Sequence, residues 1–101
     1  MNQEELDSIK GEIQQLLAEN QADEEKAFDR IYQILARTFG IKLYFCKIQG
    51  KRWAYLAGND DMITPEKQLQ LSKRHGILYD TPSSNKEDWA EILEFLKEQL
   101  N

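Results

Sequence analysis

Residues 41–58 read IKLYFCKIQGKRWAYLAG, and this stretch decides the fold. It concentrates aromatic and β-branched residues, which favour strands, around a turn signal at Gln49-Gly50. A two-residue turn there pairs Ile48 with Lys51 in an antiparallel hairpin. Because side chains alternate between the two faces of a strand, this pairing predicts one apolar face, which consists of Ile41, Leu43, Phe45, Ala54 and Leu56.

The opposite face of the predicted hairpin is rich in aromatic rings and has cations near its edge. It holds Lys42, Tyr44, Cys46, Ile48, Lys51, Trp53, Tyr55 and Ala57. Two interpretations stay open at this point: a helix covers the rings as part of the core, or the face is exposed and binds a partner. For the second interpretation the candidate binding residues are Lys42, Tyr44, Lys51, Arg52, Trp53 and Tyr55.

Helical patterns precede the hairpin. Apolar residues recur at spacings of three and four over residues 6–17 and again over residues 27–39, which predicts two amphipathic helices. Asn2 and Asp23 are placed to cap their N-termini, and Gly40 is placed to end the second helix in the left-handed conformation. The short connection between them predicts an antiparallel pair.

A third helix is predicted after the hairpin, from Thr64-Pro65 to His75, because Thr favours the N-cap and Pro the first helical position. Residues 77–79 are then predicted to form a short strand that runs parallel to the second strand of the hairpin. A final helix begins at a capping box of Ser84 and Glu87. The sequence therefore predicts one compact α+β domain over residues 1–101, with a small mixed three-stranded sheet and four helices in the order ααββαβα.

Charge is segregated along the chain. The formal net charge is −5 and the isoelectric point is about 4.9. Residues 1–30 carry nine acids and three bases, whereas residues 31–58 carry five bases and no acid. The basic hairpin is thus either neutralised by the acidic helices or presented to a partner.

Catalytic and metal-binding patterns are absent from the sequence. His75 is the only histidine. It falls in the last turn of the predicted third helix, so it is predicted to interact with the C-terminal carbonyl groups of that helix rather than to act as a catalytic base. Cys46 lies among apolar strand residues, which predicts a packed thiol with a raised pKa. We expect no metal and no cofactor, since the chain has neither zinc spacing nor a phosphate-binding glycine loop.

These patterns predict a non-catalytic cytoplasmic protein-interaction or regulatory module that uses the aromatic and basic hairpin face. Its partner is another protein or a second copy of the chain. The alternative is a single-stranded nucleic-acid-binding protein that uses the same face, which the acidic isoelectric point disfavours. A small-molecule enzyme is the third hypothesis. Neither a signal peptide nor a membrane span is expected from the apolar pattern.

Overall fold

The computed structural model describes residues 1–101 and consists of three helices and one four-stranded antiparallel sheet. The helices are α1 (Gln3–Glu19), α2 (Glu24–Phe39) and α3 (Lys86–Leu100). The strands are β1 (Leu43–Gln49), β2 (Arg52–Gly58), β3 (Lys67–Gln70) and β4 (His75–Tyr79). Their spatial order is β2-β1-β4-β3, so that β1 and β4 are central and β2 and β3 are the edges.

The predicted fold class is therefore wrong in its count of elements, although α+β holds. The segment predicted as a third helix and a parallel strand is a second hairpin, β3 and β4, and every strand pair is antiparallel. In Gln68-Leu69-Gln70-Leu71, polar and apolar side chains alternate with the period of a strand. The strand β4 pairs with the edge of β1 that β2 leaves free. Thr64-Pro65 accordingly begins no helix.

The first two helices begin where their caps predict. The Asn2 side chain accepts a hydrogen bond from the Glu5 N–H at 2.8 Å, and Asp23 accepts one from the Lys26 N–H at 3.1 Å. Gly40 ends α2 with a φ of 63°, which only glycine adopts readily. The predicted cap of α3 is wrong: the helix follows Asn85, whose side chain makes no capping bond.

The first hairpin turns one residue later than predicted. Gln49 pairs with Arg52, which leaves Gly50 and Lys51 as the loop, and Gly50 has a φ of 64°, as the first loop position of a type II′ turn requires. Relative to the predicted pairing, β2 is shifted by two residues, and a shift of two keeps each side chain on its face. A bulge opposite Phe45 and Cys46 then reverses the end of β2, so that Ala57, rather than Leu56, is buried in the core.

The helices lie on one side of the sheet: α2 packs on β1 and β2, and α1 packs against α2 and α3. Phe28 of α2 contacts Phe45 of β1 with ring centroids 4.9 Å apart, and Trp89 of α3 contacts Tyr79 of β4 at 5.2 Å. The apolar stripe of α1, with Ile13 fully buried, joins the same core cluster. No helix has the length and apolar character that crossing a membrane requires.

Candidate functional site

The face of the sheet turned away from the helices carries the candidate site, and we call it the open face. It consists of Tyr44, Cys46, Ile48, Trp53, Tyr55, Gly76 and Leu78, with Gln68 and Gln70 of β3 at one edge. None of these residues belongs to the core cluster or packs against it. The open face is thus a second, largely apolar surface that no helix covers.

Aromatic rings dominate the open face. The Tyr44 and Tyr55 rings lie 5.8 Å apart between centroids, and Tyr55 is 54% exposed although its hydroxyl donates to the Gly58 carbonyl at 2.6 Å. Trp53 extends from β2 across β1 to Gly76 of β4, which lies directly beneath the indole. A Cβ at Gly76 would be 2.2 Å from Trp53 Cζ3, so that the indole rests on this position only because it is glycine.

A concavity of about 400 Å³ lies on the open face. Its apolar lining includes Trp53, Leu78 and Met62, and its polar lining consists of Gln68, Asn59 and Asp60. An apolar lining with a few polar groups suits a protein-interaction surface. By contrast, the groove between α1 and α2 is lined mostly by charged and amide side chains, which stay hydrated.

The six predicted site residues are only partly brought together. Tyr44, Trp53 and Tyr55 share the open face as predicted. Lys42 immediately precedes β1, where its ammonium is 3.0 Å from the Asp61 carboxylate, and this ion pair raises the pKa of Lys42 and lowers the pKa of Asp61. Lys51 lies in the hairpin turn at the other end of β1. Arg52 pairs with Gln49 and shares the helix side of β2 with Ala54, so it is not on the open face. Neither Lys51 nor Arg52 forms an ion pair.

Cys46 is buried on the open face, beneath the rings. It is 3% exposed, and burial raises the pKa of its thiol to about 11, as the sequence predicts for a packed cysteine. Since the thiolate is the reactive form, Cys46 is a poor nucleophile near neutral pH.

His75 is not at the end of a helix, so its predicted role there is wrong. It begins β4, is 8% exposed, and stacks on Phe28 with ring centroids 5.0 Å apart. Its Nε2 hydrogen-bonds to Glu24 Oε1, and its Nδ1 lies 3.3 Å from Ser72 Oγ. No sequence pattern indicates this cluster, because its members come from α2 and from a hairpin that was predicted as a helix.

The cluster has the residue types of a catalytic triad, but its hydrogen bonds give Ser72 a structural role. Ser72 Oγ accepts from the backbone N–H groups of Arg74 and His75, at 3.2 and 3.1 Å, which occupies both lone pairs that a nucleophile would use. Ser72 and Glu24 thus hydrogen-bond the two ring nitrogens of His75 and fix the orientation of its imidazole.

Glu24 is held ionised by its neighbours. Burial alone would raise the pKa of its carboxyl group, but the hydrogen bond and charge of His75, with Lys47 and Arg74, lower the pKa overall. The carboxylate lies 3.6 Å from Lys47 Nζ, on the helix side of β1. The cluster therefore joins α2 to the start of β4 and leaves Lys47 turned away from the open face.

No group of histidine, cysteine and acidic side chains is arranged to hold a metal ion. No protein-family model, curated protein or solved structure matches this chain at a significant level. The function is therefore inferred from the geometry of the open face.

Proposed function

We propose that this chain is a non-catalytic protein-interaction or regulatory module, acting in the cytoplasm, whose open face docks a protein partner. One observation carries the proposal: Tyr44, Trp53 and Tyr55 form an aromatic surface on a sheet face that no helix covers. Tyrosine and tryptophan dominate binding hot spots because they bury large areas with few rotatable bonds. An apolar sheet face left in water without a use would favour aggregation.

The proposal is tested by site-specific photo-crosslinking. Tyr55 is replaced by benzoylphenylalanine, which keeps an aromatic side chain at an exposed position of the face, and the control carries the same group at Gln33, which is exposed on α2. We expect protein adducts from position 55 on irradiation in cells that express the chain, and few or none from position 33. Equal adducts from both positions, or none from position 55, would contradict a docking role for the open face.

A single-stranded nucleic acid is the alternative ligand, and one observation favours it. Lys51, Lys73 and Arg74 form no ion pair and lie at one end of the aromatic surface, where phosphates would be neutralised. Against it, Asp60 borders the concavity beside Tyr55 and repels phosphate. A steep loss of oligonucleotide binding with added salt would favour the nucleic acid, since phosphate contacts release counterions.

A further inference from the structure

We propose that the partner of the open face is a second copy of this chain, in a two-fold dimer that sets the basic end of each sheet against the acidic end of the other. This inference rests on the proposed function and names its partner. Charge is distributed unevenly along the strands, and this distribution identifies the partner.

Both hairpin turns lie at the same end of the sheet. The Ile48 N–H donates to the Arg74 carbonyl at 2.8 Å, which ties the β3–β4 turn to the end of β1. This brings together three exposed cations without an ion pair, which we call the basic end: Lys51, Lys73 and Arg74. Arg52 is not counted, because it shares the helix side of β2 with Ala54.

The opposite end of the sheet holds an excess of acids. Leu43 and Lys67 both pair with Tyr79, which places the start of β1 and the start of β3 at this end. The Glu66 N–H donates to Asp80 Oδ1 at 3.2 Å, and the Thr81 N–H donates to Glu66 Oε1 at 3.2 Å, so that the loops are held together. The acidic end consists of Asp60, Asp61, Glu66 and Asp80, and the cations there are Lys42 and Lys67.

The aromatic surface lies between these two ends. When two such sheets stack face to face, the two-fold axis lies in the interface, either along the strands or across them. An axis along the strands would bring two basic ends together, whereas an axis across the strands sets basic against acidic twice. Because like charges at an interface are unfavourable, the charges select the second axis.

The area of the face sets the expected strength. Strands of this length, about 4.8 Å apart and rising about 3.4 Å per residue, give roughly 400 Å² of open face per copy. A stable interface buries about 800 Å² per partner, so the face supplies the centre of an interface and the two charged ends supply its rim. We therefore expect a reversible dimer that forms as the concentration rises through the micromolar range.

Charge reversal tests both the partner and the orientation by analytical ultracentrifugation. One variant reverses the basic end, Lys51→Glu with Lys73→Glu, and a second reverses the acidic end, Asp60→Lys with Asp61→Lys. Each alone is expected to raise the dimer Kd at least about tenfold, because the two-fold axis repeats every lost pair. An equimolar mixture is expected to recover the dimer, since both charge contacts of the heterodimer are again attractive.

The matched control reverses charge on α2, Lys26→Glu with Arg30→Glu, and is expected to leave the Kd unchanged. Tyr55→Ser, on the face itself, is expected to abolish the dimer without unfolding the chain, as checked by circular dichroism. A chain that stays monomeric at high concentration, or a dimer indifferent to both end reversals and to Tyr55→Ser, overturns the proposal. If a monomeric chain still forms adducts from position 55 with another polypeptide, the self-partner is wrong and the protein-docking function stands.

Discussion

The contact between Trp53 and Gly76 gives the sharpest prediction of the fold. An ideal Cβ at Gly76 would lie 2.2 Å from Cζ3 and 2.5 Å from Cη2 of the indole, closer than real Cβ atoms approach. The backbone of Gly76 does not have a positive φ, so an alanine is not strained there by the main chain. The cost of Gly76→Ala therefore comes from the ring alone, which must leave its place on the sheet.

The magnitude follows from what the ring loses. Inserting a methyl group into a filled position costs about 1–3 kcal/mol, and a displaced indole also loses contact with the sheet. We expect Gly76→Ala to lower the free energy of unfolding by about 2 kcal/mol. When Trp53 is first replaced by Ala, the clash is absent, and Gly76→Ala is expected to stabilise by up to about 1 kcal/mol, because alanine restricts the unfolded chain.

The assay is a double-mutant cycle measured by urea unfolding. The four chains are the wild type, Gly76→Ala, Trp53→Ala and the double variant, and the coupling free energy is expected to be about 2–3 kcal/mol. A Trp89→Phe background isolates Trp53 fluorescence, and there Gly76→Ala is expected to increase quenching by acrylamide. If Gly76→Ala costs the same in both Trp53 backgrounds, the indole does not lie on Gly76 and the described open face is wrong.

Three further predictions concern the rest of the chain. Glu24→Gln is expected to lower the free energy of unfolding by about 1 kcal/mol at pH 7. The folded-state pKa of Glu24 lies below its ordinary 4.5, so this difference from wild type is full above pH 4.5 and disappears as the pH falls through the lowered pKa. Urea unfolding at several pH values measures the difference. Gly58→Ala is expected to lower the free energy of unfolding by about 3 kcal/mol or more, since the φ of Gly58 is 128° and a Cβ there would lie 2.6 Å from the β1 backbone. Gly11→Ala is expected to raise it by up to about 1 kcal/mol, because Gly11 is in a helix and a Cβ there would have no atom within 4 Å. Thermal unfolding compares the two variants. Trp89→Phe is expected to lower the free energy of unfolding by less than about 1.5 kcal/mol, against about 3–5 kcal/mol for Trp89→Ala. The buried Nε1 of Trp89 has no hydrogen-bond partner, so its removal in Trp89→Phe offsets part of the lost packing. Equilibrium unfolding followed by circular dichroism measures both variants.

The features that the sequence predicted correctly depend on neighbours along the chain. The caps at Asn2 and Asp23 act within three residues, and Gly40 sets a local backbone conformation. The faces of the first hairpin were also predictable, because side-chain alternation survives a register error of two residues. Tyr44, Trp53 and Tyr55 therefore share a face although the predicted pairing was wrong.

The errors arose where distant contacts override a local preference. Thr64-Pro65 is a favourable helix start in isolation. Pairing of β4 with the free edge of β1, however, gives hydrogen bonds to a whole row of backbone N–H and C=O groups. The bulge that buries Ala57 depends on the close approach of Gly58 to the β1 backbone, at a φ of 128°. No local pattern reports either contact, so the number of strands and the end of β2 were not predictable from spacing.

The second hairpin also explains why one face of the sheet is open. Four strands about 4.8 Å apart make a sheet about 19 Å wide, and two helices packed about 10 Å apart cover that width once. Here α2 lies on β1 and β2, α3 reaches β4 through Trp89, and α1 packs against both helices. Had residues 64–75 formed the predicted helix, a fourth helix would have been available for the opposite face. Because these residues instead widen the sheet, the apolar rings of Tyr44, Trp53 and Tyr55 are left for a partner to cover.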